Sequence, residues 1–252
     1  MQKKKVQEML SWNYQKAMTT YDEFLRNMGN ARGEALADDF MSYLQVVANR
    51  RYSQVRDYTK FPRDGEKYVA EIIQNSKHGT LIIVDGESGT GKSTFAKKLC
   101  QKEDFFLFDL DEYAAKLLTE YLFSGDAGMI FFDQKQDELL RQHTERIIKE
   151  GSNNGQKTTV MVACFRNVVY RTIIAHTLGK YFEKVISIVI HDNLAANIAR
   201  IKMRECGQTN EAMYLAQLTF NDMEDLKKSI AAYGIGYDES CWINHAAVHN
   251  FK

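Results

Sequence analysis

At 252 residues, with 33 Lys plus Arg against 33 Asp plus Glu, the chain is long enough for a large core and carries no net charge. That balance gives no general pull towards nucleic acid or an anionic membrane surface, and it weighs against a nucleic-acid partner. Cys100, Cys164, Cys206 and Cys241 are far apart and form no C-x-x-C pair, which argues against a zinc site or a redox dithiol and fits reduced thiols.

The first stretch of chain reads as helices. Val6, Met9, Leu10, Tyr14 and Met18 keep an apolar stripe at helical spacing, Tyr21, Phe24 and Leu25 continue it, and Met28-Gly29-Asn30 interrupts it. Ala37, Phe40, Leu44 and Val47 predict a second helix over about 34–56. Pro62, the only proline, sits in the breaker cluster Lys60-Phe61-Pro62-Arg63-Asp64-Gly65, and a short helix over 68–74 follows it. From residue 79 the pattern changes to alternating strands and helices, the mark of a parallel α/β sheet. Strands are expected at 80–84, 105–108, 158–163, 185–190 and 241–248, as continuous apolar runs that suit strands covered on both faces. Helices are expected at 93–101, 112–122, 134–150, 168–178, 193–206 and 211–232, with an exposed turn over 151–155. The organisation expected is a helical N-terminal extension, 1–78, followed by an α/β domain, 79–252.

The strand at 80–84 runs into Gly86-Glu87-Ser88-Gly89-Thr90-Gly91-Lys92-Ser93-Thr94, which fits G-x-x-x-x-G-K-[ST] with a strand before it and a helix after it. The glycines let the backbone curl so that successive N–H groups point at phosphate oxygens, and the helix starting near Lys92 adds the positive end of its dipole. Lys92 would reach the β- and γ-phosphates, and the Ser93 hydroxyl would ligate magnesium. A glycine-rich hairpin turn is the plainer explanation, but it gives no reason for Lys-Ser after the last glycine. The segment predicts binding of a nucleoside triphosphate.

The second strand ends in Asp109-Leu110-Asp111, at the sheet edge where ligands collect in open parallel sheets. Alternation puts both carboxylates on one side, so one would hold magnesium and the other would deprotonate an attacking hydroxyl. Capping of the following helix is the competing structural role. Arg200 and Arg204 share a helix face, placed to neutralise a transferring phosphoryl group, and Gly207-Gln208-Thr209-Asn210 makes a hinge behind them. A solvated basic face is the plainer reading of those arginines. Arg166 and Asn167 follow the third strand and are candidates for substrate contact, whereas Glu145, Arg146 and His143 read as surface or packing residues. The third strand, Val160 to Phe165, holds no Asp or Glu for a Walker B carboxylate, and no N-K-x-D sequence is present, which weighs against motor ATPases and GTPase switches.

On Gly86–Thr94, the Asp109-Leu110-Asp111 strand end and the Arg200/Arg204 helix, the sequence over about 79–250 resembles P-loop small-molecule kinases, the group that includes zeta toxins, chloramphenicol phosphotransferase and the polynucleotide kinase domain. The resemblance implies an α/β fold of three layers, the P-loop NTPase fold, with a mostly parallel five-stranded sheet behind the helical extension. It implies Asp111 as the base and an arginine lid, formed by Arg200 and Arg204, over the triphosphate. Where zeta toxins usually carry an acidic residue after the third strand, this chain has Ala163-Cys164-Phe165.

The expected activity is therefore ATP- and Mg2+-dependent transfer of the γ-phosphoryl group to a hydroxyl of a small molecule, with a nucleotide sugar among the candidate acceptors. In that scheme Lys92, Asp111, Arg200 and Arg204 are catalytic, Gly86 to Thr94 bind the nucleotide, and Ser93 with Asp109 organises the metal. Nucleoside, nucleotide or nucleic-acid 5′-kinases, and a non-catalytic ATP-gated module, are the alternatives. The helical N-terminus is a candidate surface for a protein partner or for dimerisation. No run approaches the roughly 18 apolar residues of a membrane span and no signal-peptide pattern is present, so a cytoplasmic protein without membrane contact is expected.

Overall fold

The structure, a computed structural model, describes residues 53–76, 79–123, 126–165, 168–205, 210–227, 234 and 236–249. The helices expected over 1–52 lie outside the described residues.

In chain order the elements are β1 (Val55–Asp57), α1 (Pro62–Asn75), β2 (Thr80–Gly86), α2 (Lys92–Glu103), β3 (Phe106–Asp109), α3 (Leu110–Phe123) and α4 (Asp126–Gly151). Then come β4 (Thr159–Val162), α5 (Val168–Gly179), β5 (Lys184–Ile190), α6 (Leu194–Glu205), α7 (Asn210–Lys227), β6 (Glu239–Ile243) and α8 (His245–His249). The strands form one sheet in the order β1-β6-β5-β2-β4-β3, and every pairing is parallel. This is an α/β fold with helices on both faces of the sheet.

Alternation along the central strand divides the core. Ile82 and Val84 point to one face, against Tyr68, Val69, Ile72 and Ile73 of α1 and Phe95, Ala96 and Leu99 of α2. Leu81 and Ile83 point to the other, against Ile148 of α4 and Ile174, Ala175 and Leu178 of α5. Both faces of β2 are covered, so all seven of its residues are buried, and its run reads as continuously apolar rather than alternating.

Several expectations change. Among the described residues the sheet has six strands rather than five, because Val55–Asp57 pairs with Ser240 to Trp242 on the far side of β6. A helix was expected to run to residue 56, but three residues carry no period of their own, and the free edge of β6 sets their conformation. Residues 55–75, expected in the extension, thus build onto the sheet. Pro62 opens α1 instead of separating elements, because a proline at the first helical position removes only an N–H that has no helical partner. The last strand stops at Ile243, where the Asn244 side chain accepts from the Ala247 amide at 3.1 Å and starts α8.

Candidate active site

β2 delivers the chain to the phosphate loop through a buried carboxylate. Asp85 is fully buried; its Oδ1 accepts from the Gly86 amide at 2.7 Å and the Phe165 amide at 2.8 Å, and its Oδ2 accepts from Arg171 Nε at 3.2 Å. Arg171, equally buried, also donates to Ser187 Oγ and lies 4.2 Å from the centre of the Tyr237 ring. One side chain therefore fixes the entry to the loop and the end of β4 together. Burial pushes the Asp85 carboxyl above its ordinary range, opposed by Arg171 and the two amides.

The loop itself is tightly cradled. At Gly86 a Cβ would lie 2.1 Å from the Ile190 carbonyl oxygen, and at Gly89, with φ 85°, it would lie 2.8 Å from the Asn197 carbonyl oxygen of α6. Lys92, buried, reaches back across the loop and donates to the Glu87 carbonyl at 2.9 Å, as does the Thr90 hydroxyl at 2.9 Å. The first-turn amides of α2, from Lys92 to Thr94, have no helical acceptor and so offer donors to an anion. The side chain of Thr94 is exposed.

Ser93 and Asp109 meet beside the loop. The Ser93 hydroxyl donates to Asp109 Oδ2 at 2.9 Å, while Asp109 Oδ1 accepts from the amides of Asp111 at 3.2 Å and Glu112 at 3.4 Å. Asp109 thus caps α3 with one oxygen and faces the phosphate loop with the other. Among the described residues no cluster of three or more His, Cys, Asp or Glu side chains could hold a metal alone. A hydroxyl and a carboxylate held together beside a phosphate loop instead fit Mg2+, which takes one or two protein oxygens and completes its shell with phosphate and water.

Asp111, two residues on, is open to solvent at its surface yet hemmed in by protein. Desolvation pushes its carboxyl above the usual range and Asp109 adds to the effect, while Lys92 opposes it. Cys164, at the end of β4, is near the same charges. Burial pushes its thiol up to about 12, opposed by Lys92, so the position carries no ionised group.

Arg200 is beside the loop but already engaged. Its Nε donates to the Gly89 carbonyl at 2.6 Å, and its Nη2 donates to Asp192 Oδ2 at 2.7 Å and to Asn197 Oδ1. Arg204 lies one turn further along α6; its side chain is outside the described ones, as are Arg166 and Asn167. Glu145 is taken up by Tyr181 and Lys180, each at 2.5 Å, as its surface reading implies. Tyr113 packs on Phe108 with ring centres 5.4 Å apart, a core contact.

Several contacts around the loop escape the sequence reading, in which Glu87 and Ser88 count only as nucleotide-binding residues. His245 Nδ1 lies 2.9 Å from the Thr90 carbonyl, so that nitrogen carries the proton. Glu87, fully buried within the loop, accepts at Oε1 from the Asp192 amide at 2.9 Å and Asn197 Nδ2 at 3.1 Å. His191 lies between Glu87 and Glu224, and the Ser88 amide donates to Thr219 Oγ1 of α7 at 3.2 Å. Desolvation alone would lower the pKa of His191; the two carboxylates outweigh it and hold the imidazole above its ordinary value, with Lys227 opposing them. One signal was available for the buried pair. Arg171 keeps the spacing of Ile174, Ala175 and Leu178, which puts a cation on the apolar stripe of α5 and demands a buried anion.

No helix among the described residues is long and apolar enough to cross a membrane. No protein-family model matches the sequence, and no curated protein matches it. Among solved structures, the chain is similar to a gluconokinase from Sinorhizobium meliloti at 15% identity, over 66% of this chain and 82% of that one, with a TM-score of 0.41. It is similar to a shikimate kinase from Acinetobacter baumannii, in complex with shikimate, at 12% identity over 67% of this chain and 86% of that one, with a TM-score of 0.39. A third likeness is to a chain of the PezAT chromosomal toxin–antitoxin system of Streptococcus pneumoniae, at 12% identity over 71% and 78% of the two chains, with a TM-score of 0.41. These are distant likenesses, and what the site does is read from its own residues.

Proposed function

We propose that the protein is a kinase that uses ATP and Mg2+ to phosphorylate a hydroxyl of a small molecule. The observation that carries this reading is the contact between Ser93 and Asp109, which joins the phosphate loop to a second acidic strand end with Asp111 beside it. The cap of α3 accounts for one oxygen of Asp109; the oxygen facing Ser93 is the one this reading uses.

In the reaction, the acceptor oxygen attacks the γ-phosphorus, the bond from that phosphorus to the β,γ-bridging oxygen breaks, and ADP leaves with the electron pair. Asp111 takes the hydroxyl proton; its raised pKa makes it a stronger base than an ordinary carboxylate. Lys92 lets go of the Glu87 carbonyl and turns its ammonium to the β- and γ-phosphates. Ser93 and Asp109 would hold Mg2+, which would neutralise charge on the phosphate oxygens. Arg200 keeps the loop against α6 through Gly89, and Arg204, on the same helix, is the cation proposed to neutralise the transferring group.

The test is Lys92→Ala with radiolabelled ATP and a panel of acceptors covering nucleotide sugars, nucleosides, polyols and nucleic-acid 5′ ends. Transfer to one acceptor class should fall by at least about a hundredfold in a folded variant, the scale of losing one charge-stabilising donor. Normal transfer by that variant would overturn the assignment, and tight ATP binding without transfer to any acceptor would point to an ATP-gated module.

A further inference from the structure

We propose that α7 helps to position the phosphate loop, with Thr219, His191 and Glu224 as positioning residues, and that a proton on His191 is what keeps the helix docked. The proposal deepens the kinase reading, because it concerns how the same nucleotide site is regulated.

Two contacts join α7 to the loop. Thr219 accepts the Ser88 amide at 3.2 Å, and its own hydroxyl is turned to the Ala216 carbonyl at 3.2 Å, so its orientation is set by the helix. Further along α7, Glu224 Oε1 lies 2.6 Å from His191 Nε2. The other ring nitrogen, Nδ1, lies 3.0 Å from Oε1 of the loop residue Glu87, outside the angle of a good hydrogen bond. Phe220 stacks on the imidazole at 5.7 Å and the Trp242 ring meets it edge-on at 5.4 Å, so the ring has a fixed plane.

A neutral imidazole has one N–H, and here each nitrogen faces a carboxylate. The neutral ring can satisfy only one of them and turns a lone pair on the other. The imidazolium serves both. When the proton leaves, Glu87 keeps its two other donors, Asp192 and Asn197, whereas Glu224 has solvent to turn to, its side chain being 46% exposed. Deprotonation therefore releases the α7 side and leaves Thr219 alone to hold Ser88. The other charges around the ring are Lys227 on α7, which opposes the proton, Asp57 at the end of β1, and Asp192 next to it in the chain. Glu87 Oε2 is buried without a hydrogen-bond partner among the described residues, and the Lys92 ammonium beside it is engaged by the Glu87 backbone carbonyl rather than by the carboxylate.

The test uses the full chain with and without ATP. Without nucleotide, amide-exchange protection in α7, corrected for intrinsic rates, should fall as pH rises beyond the ordinary histidine value of about 6.5 and should lose that dependence in Glu224→Gln and His191→Gln. With ATP, wild-type affinity should weaken about fivefold or more over the same range relative to Glu224→Gln, the lower end of ordinary site coupling; the comparison cancels the titration of the nucleotide itself. Wild-type protection without pH dependence, or an unchanged dependence in Glu224→Gln, overturns the proposal. A pH-dependent α7 in a chain that binds no ATP would instead overturn the kinase reading and leave the pin standing. If His191→Gln fails to fold, Glu224→Gln, altered at a half-exposed position, still decides.

Discussion

Replacing Arg171 by Met would leave the Asp85 carboxylate in the core without its cation. Both side chains are fully buried, so the variant exposes neither group to water. Breaking a buried pair from one side costs about 3–5 kcal/mol, and Asp85 would keep the Gly86 and Phe165 amides, which favours the lower end, about 3 kcal/mol. For a chain of this size that is a fall in Tm of roughly 6–12 °C. Urea unfolding at pH 8, followed by circular dichroism, should show it as a lower midpoint at unchanged slope. The deficit should shrink in acid. Without Arg171 the folded-state pKa of Asp85 rises further above its unfolded value, so the protonated carboxyl contributes stability at low pH that is lost as pH rises through the folded pKa. Asp85→Asn together with Arg171→Met should recover part of the loss, since no charge then stays buried. A deficit under about 1 kcal/mol at pH 8, or one that grows as pH falls, would refute the claim that an ionised Asp85 is held by Arg171.

Asp109→Asn should raise the Mg2+ concentration needed for half-maximal activity by about 10–100-fold, with thermal melting little changed; an unaltered Mg2+ titration would remove Asp109 from the metal site. Asp111→Asn should cut kcat by about 10²–10⁴ while ATP affinity holds, and a mainly binding defect would reassign the residue to substrate positioning. In wild type the base must be ionised, so kcat should fall with acidity through a pKa above the ordinary carboxylate range; an acid limb at or below about 4 would contradict the desolvation of Asp111. Gly89→Ala should cost about 1–2 kcal/mol of stability from the left-handed backbone alone, and more from the contact with Asn197, which melting curves and ATP titration would register together.

The central strands were legible because burial on both faces writes an unbroken apolar run. The phosphate loop was legible because its glycines and Lys-Ser fall within one short stretch, Gly86 to Ser93. What was hidden is whatever depends on a distant partner. β1 is a strand only because β6 lies beside it. Arg200 reads as a free lid cation until Gly89, 111 residues earlier, presents its carbonyl. The same holds for His191, whose carboxylates come from the loop and from α7. Pro62 shows another kind of ambiguity, since one residue can either break a helix or begin it, and only the packing of α1 against β6 decides.

The edge strand β1 also bears on how the molecule is made. The first described strand to leave the ribosome pairs with the last; the Ser53 hydroxyl and the Gly234 carbonyl that it meets are 181 residues apart. Until β6 emerges, Val55–Asp57 has no ladder to join, and until β1 docks, β6 shows an open edge to any other strand nearby. The interval between those events is when the chain is most exposed to pairing with a second copy, so slow completion of synthesis should tell on yield before it tells on activity.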